Sequence, residues 1–183
     1  MSGEVVEQEK RWYALRDLKR SNAILPAYKQ LAEMGIEVFT PIQWRLVTRF
    51  GKRIRREVAV MPDLLFAHDA RENLDPIIAE IPTLQYRYKK GGAYRESIVV
   101  PEEDMNRFIN AVRASETPKY YSADELNELM CGKNIRVVGG PMNGQEGKLK
   151  SVRGSKVKHL VVVLPNLLAV SVKVEKEFIQ IVE

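Results

Sequence analysis

The chain has 183 residues, 45% hydrophobic and 29% charged, with a mild net charge of +5: a globular composition, for one domain or two small ones. No apolar run approaches the roughly 20 residues that span a bilayer, and the polar start "MSGEVVEQEKR" lacks a signal peptide's apolar core, so a cytoplasmic protein without membrane contact is expected. A single cysteine, Cys131, excludes an internal disulfide, and His68 and His159, which are not clustered, are too few to ligate zinc, so no metal or cofactor is expected.

Residues 1–10 read as a loose tail, and "RWYALRDL" (11–18) predicts a buried strand. From Ser21 to Gly35 the pattern turns helical, with Ile24, Tyr28, Leu31 and Ala32 at three- and four-residue spacing, Pro26 in the first turn and Gly35 as the stop. "IEVFTPI" (36–42) returns to strand. Two β-like runs follow, "WRLVTRF" (44–50) and "EVAVMPDLLFA" (57–67), separated by "GKRIRR", which predicts a hairpin with a long arm. "NLDPIIAEI" (73–81) predicts a short helix capped by Asp75, with Pro76 at its first position. "LQYRYKK" (84–90) alternates and ends at Gly91-Gly92, a strand and a turn. "VPEEDMNRFINAVRA" (100–114) predicts a helix with acids in its first turn and an apolar face of Met105, Phe108, Ile109 and Val112.

Residues 115–132 read as a linker. Within it Ser122 and Glu125 have capping-box spacing for a short helix over 123–130 bearing Leu126 and Leu129. Beyond Gly132 every run is β-like: "IRVV" (135–138), "GKLKSV" (147–152), "VKHLVVVL" (157–164), "LLAVSVKV" (167–174) and "FIQIV" (178–182). These five short strands predict a small barrel over 133–183, behind an α+β domain over 11–114.

The glycine-rich stretch "RVVGGPMNGQEGKLKSV" (136–152) invites a phosphate-binding reading. A P-loop needs G-x-x-x-x-G-K followed by Ser or Thr, then a helix. Setting Gly147-Lys148 on its last positions leaves Met142 for the first glycine and Leu149 for the hydroxyl, and strand follows rather than helix. Gly139, Gly140, Gly144 and Gly147 suit instead a tight turn between strands, with Pro141 fixing a corner. No acid pairs with a histidine or nucleophile in a recognisable arrangement. Glu102, Glu103 and Asp104 answer to the helix dipole, and Ser97 and Ser155 have no motif around them, so the chain is not expected to be an enzyme.

Charge is concentrated elsewhere. Arg45, Arg49, Lys52, Arg53, Arg55 and Arg56 fall in twelve residues without one acid, a run able to track phosphates with a salt-dependent contact. Only Trp44 and Phe50 are near it for base stacking, and a solvated hairpin arm accounts for the same run.

"GKNIRVVGGPMNGQEGKLKSV" resembles a KOW motif, found in ribosomal proteins and NusG-type transcription elongation factors. "RWYALRDLKR" followed by a helix is similar to the opening strand of the NusG N-terminal domain, and "FIQIVE" resembles the close of NusG proteins. "RFGKRIRREVAVMPDLLFAHD" resembles the NusG segment in which a basic hairpin leads into Pro-Gly-Tyr-x-Phe-Val. Here it reads Pro62-Asp63-Leu64-Leu65-Phe66-Ala67, with Asp63 and Leu64 in place of glycine and tyrosine. Specialised members such as RfaH also lack that glycine but keep the aromatic residue. Over residues 11–183 the chain thus resembles the NusG family, and these departures point towards a specialised RfaH- or UpxY-like member.

The resemblance implies an antiparallel sheet flanked by helices, followed by an SH3-like five-stranded β-barrel. It implies a first domain that binds the clamp helices of RNA polymerase through an apolar depression, in a transcription elongation or antitermination factor. The polymerase contact positions fall on Leu64, Phe66 and Tyr86, although a strand core suits these residues as well. Lys19 and Arg20, just after the first strand, join Arg49, Lys52, Arg53, Arg55 and Arg56 as the residues facing non-template DNA or nascent RNA. In the second domain Leu164, Leu167 and Leu168 correspond to an edge that meets a ribosomal protein or Rho, and packing on the first domain explains them equally. Some relatives refold this domain as helices; here Val161, Val162, Val163, Val170, Val172 and Val174 favour strand. The alternative is a translation-linked RNA-binding protein using the KOW barrel.

Overall fold

The computed structural model describes residues 9–19, 25–125, 132–151 and 154–182. The chain is mixed α+β with antiparallel ladders, and it divides between Pro101 and Glu102 into two compact units. None of the described helices is long and apolar enough to cross a membrane.

In the first unit β1 (Arg11–Asp17) is central. On one edge it pairs with β5 (Leu65–Asp69), beyond which lies β2 (Glu37–Phe39). Its other edge is shared by β6 (Leu84–Tyr86) and β7 (Val99–Val100). Strand alternation sends Tyr13 and Leu15 to one face, where they meet Leu65, Ala67, Leu84 and Tyr86. Helices α1 (Ala27–Glu33) and α2 (Arg71–Glu80) bring Ala27, Leu31 and Leu74 into the same cluster. Trp12 and Ala14 point the opposite way and are buried too, Trp12 stacking on His68 with 4.8 Å between centroids. Burial on both faces explains why "WYAL" is an unbroken apolar run rather than an alternating one.

Polar side chains start both helices. The Asp17 carboxylate accepts from the Ala27 N–H at 2.8 Å and the Lys19 N–H at 2.9 Å, supplying the cap that Pro26 at the helix start cannot. α2 begins at Arg71, before the expected Asp75 cap, and Pro76 lies inside it. The Asp69 carboxylate anchors this earlier turn, accepting from the Ala70 N–H at 2.8 Å and the Asn73 amide at 3.0 Å. Burial alone would raise the Asp69 pKa; these bonds, with the charges of Lys10 and His68, outweigh it and hold the carboxyl below its usual range.

The hairpin is longer than expected. Its strands are β3 (Ile42–Arg49) and β4 (Lys52–Ala59), so the "GKRIRR" spacer is mostly strand and the turn is Phe50-Gly51 alone. The run 57–67 breaks after Ala59 and resumes as β5.

The second unit holds α3 (Glu102–Arg113) and a six-stranded ladder in the order β13-β9-β10-β11-β12-β8. The strands are β8 (Lys119–Ser122), β9 (Asn134–Val137), β10 (Glu146–Ser151), β11 (Lys158–Leu164), β12 (Leu168–Val174) and β13 (Ile179–Ile181). α3 lies against β11 and β12 and buries Met105, Phe108, Ile109 and Ala111, with Val112 half-buried. Two expectations change. The division falls before α3 rather than within 115–132, and part of that expected linker is β8, paired along β12. Among the described residues no ladder joins β13 to β8, so the sheet is not a closed five-stranded barrel; β8 occupies the edge of β12. Among the described residues the expected helix begins with a 3₁₀ turn, Ala123–Glu125, and half of the capping box is present, the Glu125 carboxylate accepting from the Ser122 N–H at 2.8 Å and from its hydroxyl at 3.0 Å. Leu126, Leu129 and Cys131 lie outside the described residues.

The glycine-rich stretch connects β9 to β10, and Gly139, Gly140 and Gly144 all have positive φ. Gly147 sits on β10 close against β11: a Cβ there would lie 2.2 Å from the Val161 carbonyl oxygen. The segment after the loop is strand, so it offers no helix N-terminus to a phosphate.

Candidate nucleic-acid interface

β3 and β4 pair with each other and with no other described strand, through eight residue pairs from Ile42↔Ala59 to Arg49↔Lys52. At about 3.4 Å per residue the arm is about 27 Å long. At its end Phe50 (φ 49°) and Gly51 (φ 74°) both have positive φ, the conformation of a type I′ turn, whose twist matches the paired strands.

Register gives the arm two distinct faces. Ile42, Trp44, Leu46 and Thr48 share one with Arg53 and Arg55, while Arg45, Val47 and Arg49 share the other with Lys52, Ile54 and Arg56. The first face carries an exposed apolar stripe, Trp44 being 55% and Leu46 71% accessible. The Arg55 guanidinium lies 4.8 Å from the Trp44 ring centroid, a cation–π contact between diagonal neighbours.

On the second face like charges stand directly opposite each other, Arg45 against Arg56 and Arg49 against Lys52. Such pairs repel, and a polyanion laid along them removes the repulsion. Among the described residues no carboxylate is within ion-pair distance of Arg45, Arg49, Lys52, Arg53 or Arg55.

This face borders a cleft of about 600 Å³, lined by Arg45, Arg49, Arg56 and the acid Glu57 from the arm and by Asp17, Lys19 and Tyr28 from the unit's body. Two basic features separate in sequence therefore meet on one concavity. Lys19 is oriented by donation from its Nζ to the Leu25 carbonyl at 3.1 Å. Burial pushes the Tyr28 phenol above its usual pKa, with Glu57 adding to the shift and Arg56 opposing it. Arg20 lies outside the described residues.

The expected polymerase-contact residues are not on the surface. Phe66 is 0% accessible, Leu64 is buried with its carbonyl accepting from the Thr40 hydroxyl at 3.1 Å, and Tyr86 is packed in the core. The Tyr86 hydroxyl donates to Asp75 at 2.8 Å and its ring meets Tyr13 edge-on. Burial first, then the Asp75 carboxylate, drives its pKa far above the ordinary phenol value. The physical reason is strand pairing: Phe66 lies on β5 between Ala14 of β1 and Phe39 of β2. Asp63 is instead a clamp, its carboxylate accepting from Arg87 at 2.7 Å with Arg16 at 3.9 Å.

Leu164, Leu167 and Leu168 also turn inward and are buried. The turn between them has Pro165 at its first corner and Asn166 at φ 61°, with the Leu167 N–H donating to Leu164 O at 3.1 Å, a type II arrangement. The polar corner faces out, which frees the leucines to fill the core.

A second basic row has no signal in the sequence. Lys150, His159 and Lys173 are adjacent across β10, β11 and β12, and Lys119 of β8 acts on the same histidine. Lys150 Nζ is held 2.9 Å from the Tyr121 hydroxyl. The residues come from four strands, so only ladder register assembles them. Among the described residues His159 Nδ1 is buried without a hydrogen-bond partner; burial, then the charges of Lys119, Lys150 and Lys173, lower its pKa below the ordinary value of about 6.5. The folded state thus disfavours the imidazolium, and the unfolded chain takes up the proton first as pH falls. The stability that depends on neutral His159 is complete above about pH 6.5 and is lost as pH drops towards the lower folded pKa. Thermal melts between pH 7.5 and 5 are expected to fall in midpoint, and His159→Gln to flatten that decline; an equal decline in both proteins would refute it.

No protein-family model matches the chain, and no curated protein matches it.

Proposed function

We propose that the protein is a transcription elongation or antitermination factor that binds RNA polymerase and lays its β3–β4 arm along the nucleic acid the enzyme carries. The observation that carries this reading is the arm itself: six cations in twelve residues, none separated by an acid, on an exposed ladder. The arm lies in the segment that resembles the basic hairpin of NusG proteins, within an α+β unit that precedes a β-rich one. Its length of about 27 Å covers most of one 34 Å turn of duplex, and its face of opposed like charges suits a phosphate backbone. A protein partner needs an accessible apolar surface, which the Ile42–Trp44–Leu46 stripe supplies and Leu64, Phe66 and Tyr86 do not.

The tagged full chain is expected to retain RNA polymerase from cell extract. Leu46→Gln is expected to weaken retention of the enzyme while melting at the wild-type temperature, because Leu46 is exposed and a neutral side chain sets no like charge opposite Arg55. Retention of ribosomes or free RNA with no polymerase overturns the reading. The Lys119, Lys150 and Lys173 row would then favour the alternative, a translation-linked RNA-binding protein using its second unit.

A further inference from the structure

The turn at the end of the arm contains a residue that local structure does not favour. Type I′ turns require positive φ at both central positions, which Asn and Gly adopt with least strain. The first position here is Phe50, at φ 49°, and a bulky side chain in that region is a genuine outlier. The ring has no internal packing to compensate, since Phe50 is 93% accessible. Backbone strain combined with an aromatic ring held in water has no folding explanation at this position, and such outliers concentrate at functional sites.

We propose that Phe50 stacks on an unpaired nucleic-acid base, making the end of the arm a single-strand contact. This rests on the nucleic-acid reading of the arm and specifies its mode. The neighbours determine the chemistry of the occupant. Arg49 places its guanidinium 5.5 Å from the Phe50 ring centroid, and Lys52 and Arg53 follow the turn directly. A ring amid cations matches a nucleotide, whose base offers a π-face and whose flanking phosphates offer negative charge. An apolar pocket on a protein would instead desolvate Arg49 without pairing it. A base inside a duplex has both faces already stacked and must be unstacked before the ring can reach it, whereas an unpaired base has a face free.

The test uses the full chain and a short single-stranded oligonucleotide carrying 2-aminopurine, compared with a duplex of the same sequence at one salt concentration. Phe50→Asn restores favoured turn chemistry, so its melting temperature is expected to equal or exceed that of wild type. Its single-strand affinity is expected to fall about tenfold, with loss of the 2-aminopurine quench and little change on duplex. Phe50→Trp is expected to keep both affinity and quench. Equal affinity of Phe50→Asn and wild type for the single strand, or an equal loss on both ligands, overturns the stacking while leaving the arm's phosphate contacts standing. Failure of wild type to bind either ligand overturns the nucleic-acid reading with it. Loss of RNA polymerase by Phe50→Asn with single-strand binding intact assigns the ring to a protein pocket and also overturns the proposal.

Discussion

Phe66→Ala is expected to lower the stability of the first unit by about 3–5 kcal/mol, measured as an earlier denaturant midpoint with an unchanged slope. Phe66 is among the largest fully buried side chains of the chain, on β5 between Ala14 and Phe39 on the neighbouring strands. Truncation removes its transfer free energy and leaves a cavity that a paired sheet cannot collapse. Domains are stable by about 5–15 kcal/mol in total, so the loss is a large share of the whole. A Phe66 that served as a partner contact would behave in the opposite way, leaving the midpoint in place and weakening only binding. An unchanged midpoint would refute the core assignment. It also follows that Leu64→Arg with Phe66→Arg tests folding rather than partner contact, because both charges would enter the interior.

The second large effect concerns the arm. Arg45→Ala, Arg49→Ala and Lys52→Ala together, all on the face of opposed like charges, are expected to reduce the dependence of log affinity on log salt by about three, one for each phosphate that the variant no longer neutralises. At physiological ionic strength this amounts to about 100-fold in affinity, spread evenly over sequences because phosphates carry no base information. None of the three side chains is buried and none is ion-paired with a described carboxylate, so the variant should melt no earlier than wild type. Relieving the Arg49–Lys52 repulsion at the turn favours the ladder slightly. An unchanged salt slope would show that the arm carries its charge for solubility alone.

Much of the fold is legible where burial is strong. "RWYALRD" becomes β1, "EEDMNRFINAVR" becomes α3 and "KHLVVVL" becomes β11, since long apolar runs or a clean three-to-four spacing leave few alternatives. Exposed and edge elements are less legible. "KRIRREVA" is strand because β3 pairs with it, although its own residues show no apolar alternation. "KYYS" reads as linker because "SETPKYYS" is polar and contains a proline, and only the free edge of β12 makes it β8. Pro76 suggests a helix start, yet the Asp69 contacts begin α2 earlier.

The same division applies to the candidate site. The charge of the arm, the glycines of the β9–β10 turn and the helix–strand order can all be read from the amino-acid sequence, because each depends on residue type and near neighbours. Which apolar residues are accessible follows only from the folded chain. Folding buries Leu64, Phe66, Tyr86, Leu164, Leu167 and Leu168, and leaves Trp44, Leu46 and Phe50 in solvent. It also brings Lys19 to the arm's arginines and places Lys150 beside His159. Accessibility and cross-strand adjacency arise from pairing between segments distant in the chain, and composition and spacing do not encode which segments will meet.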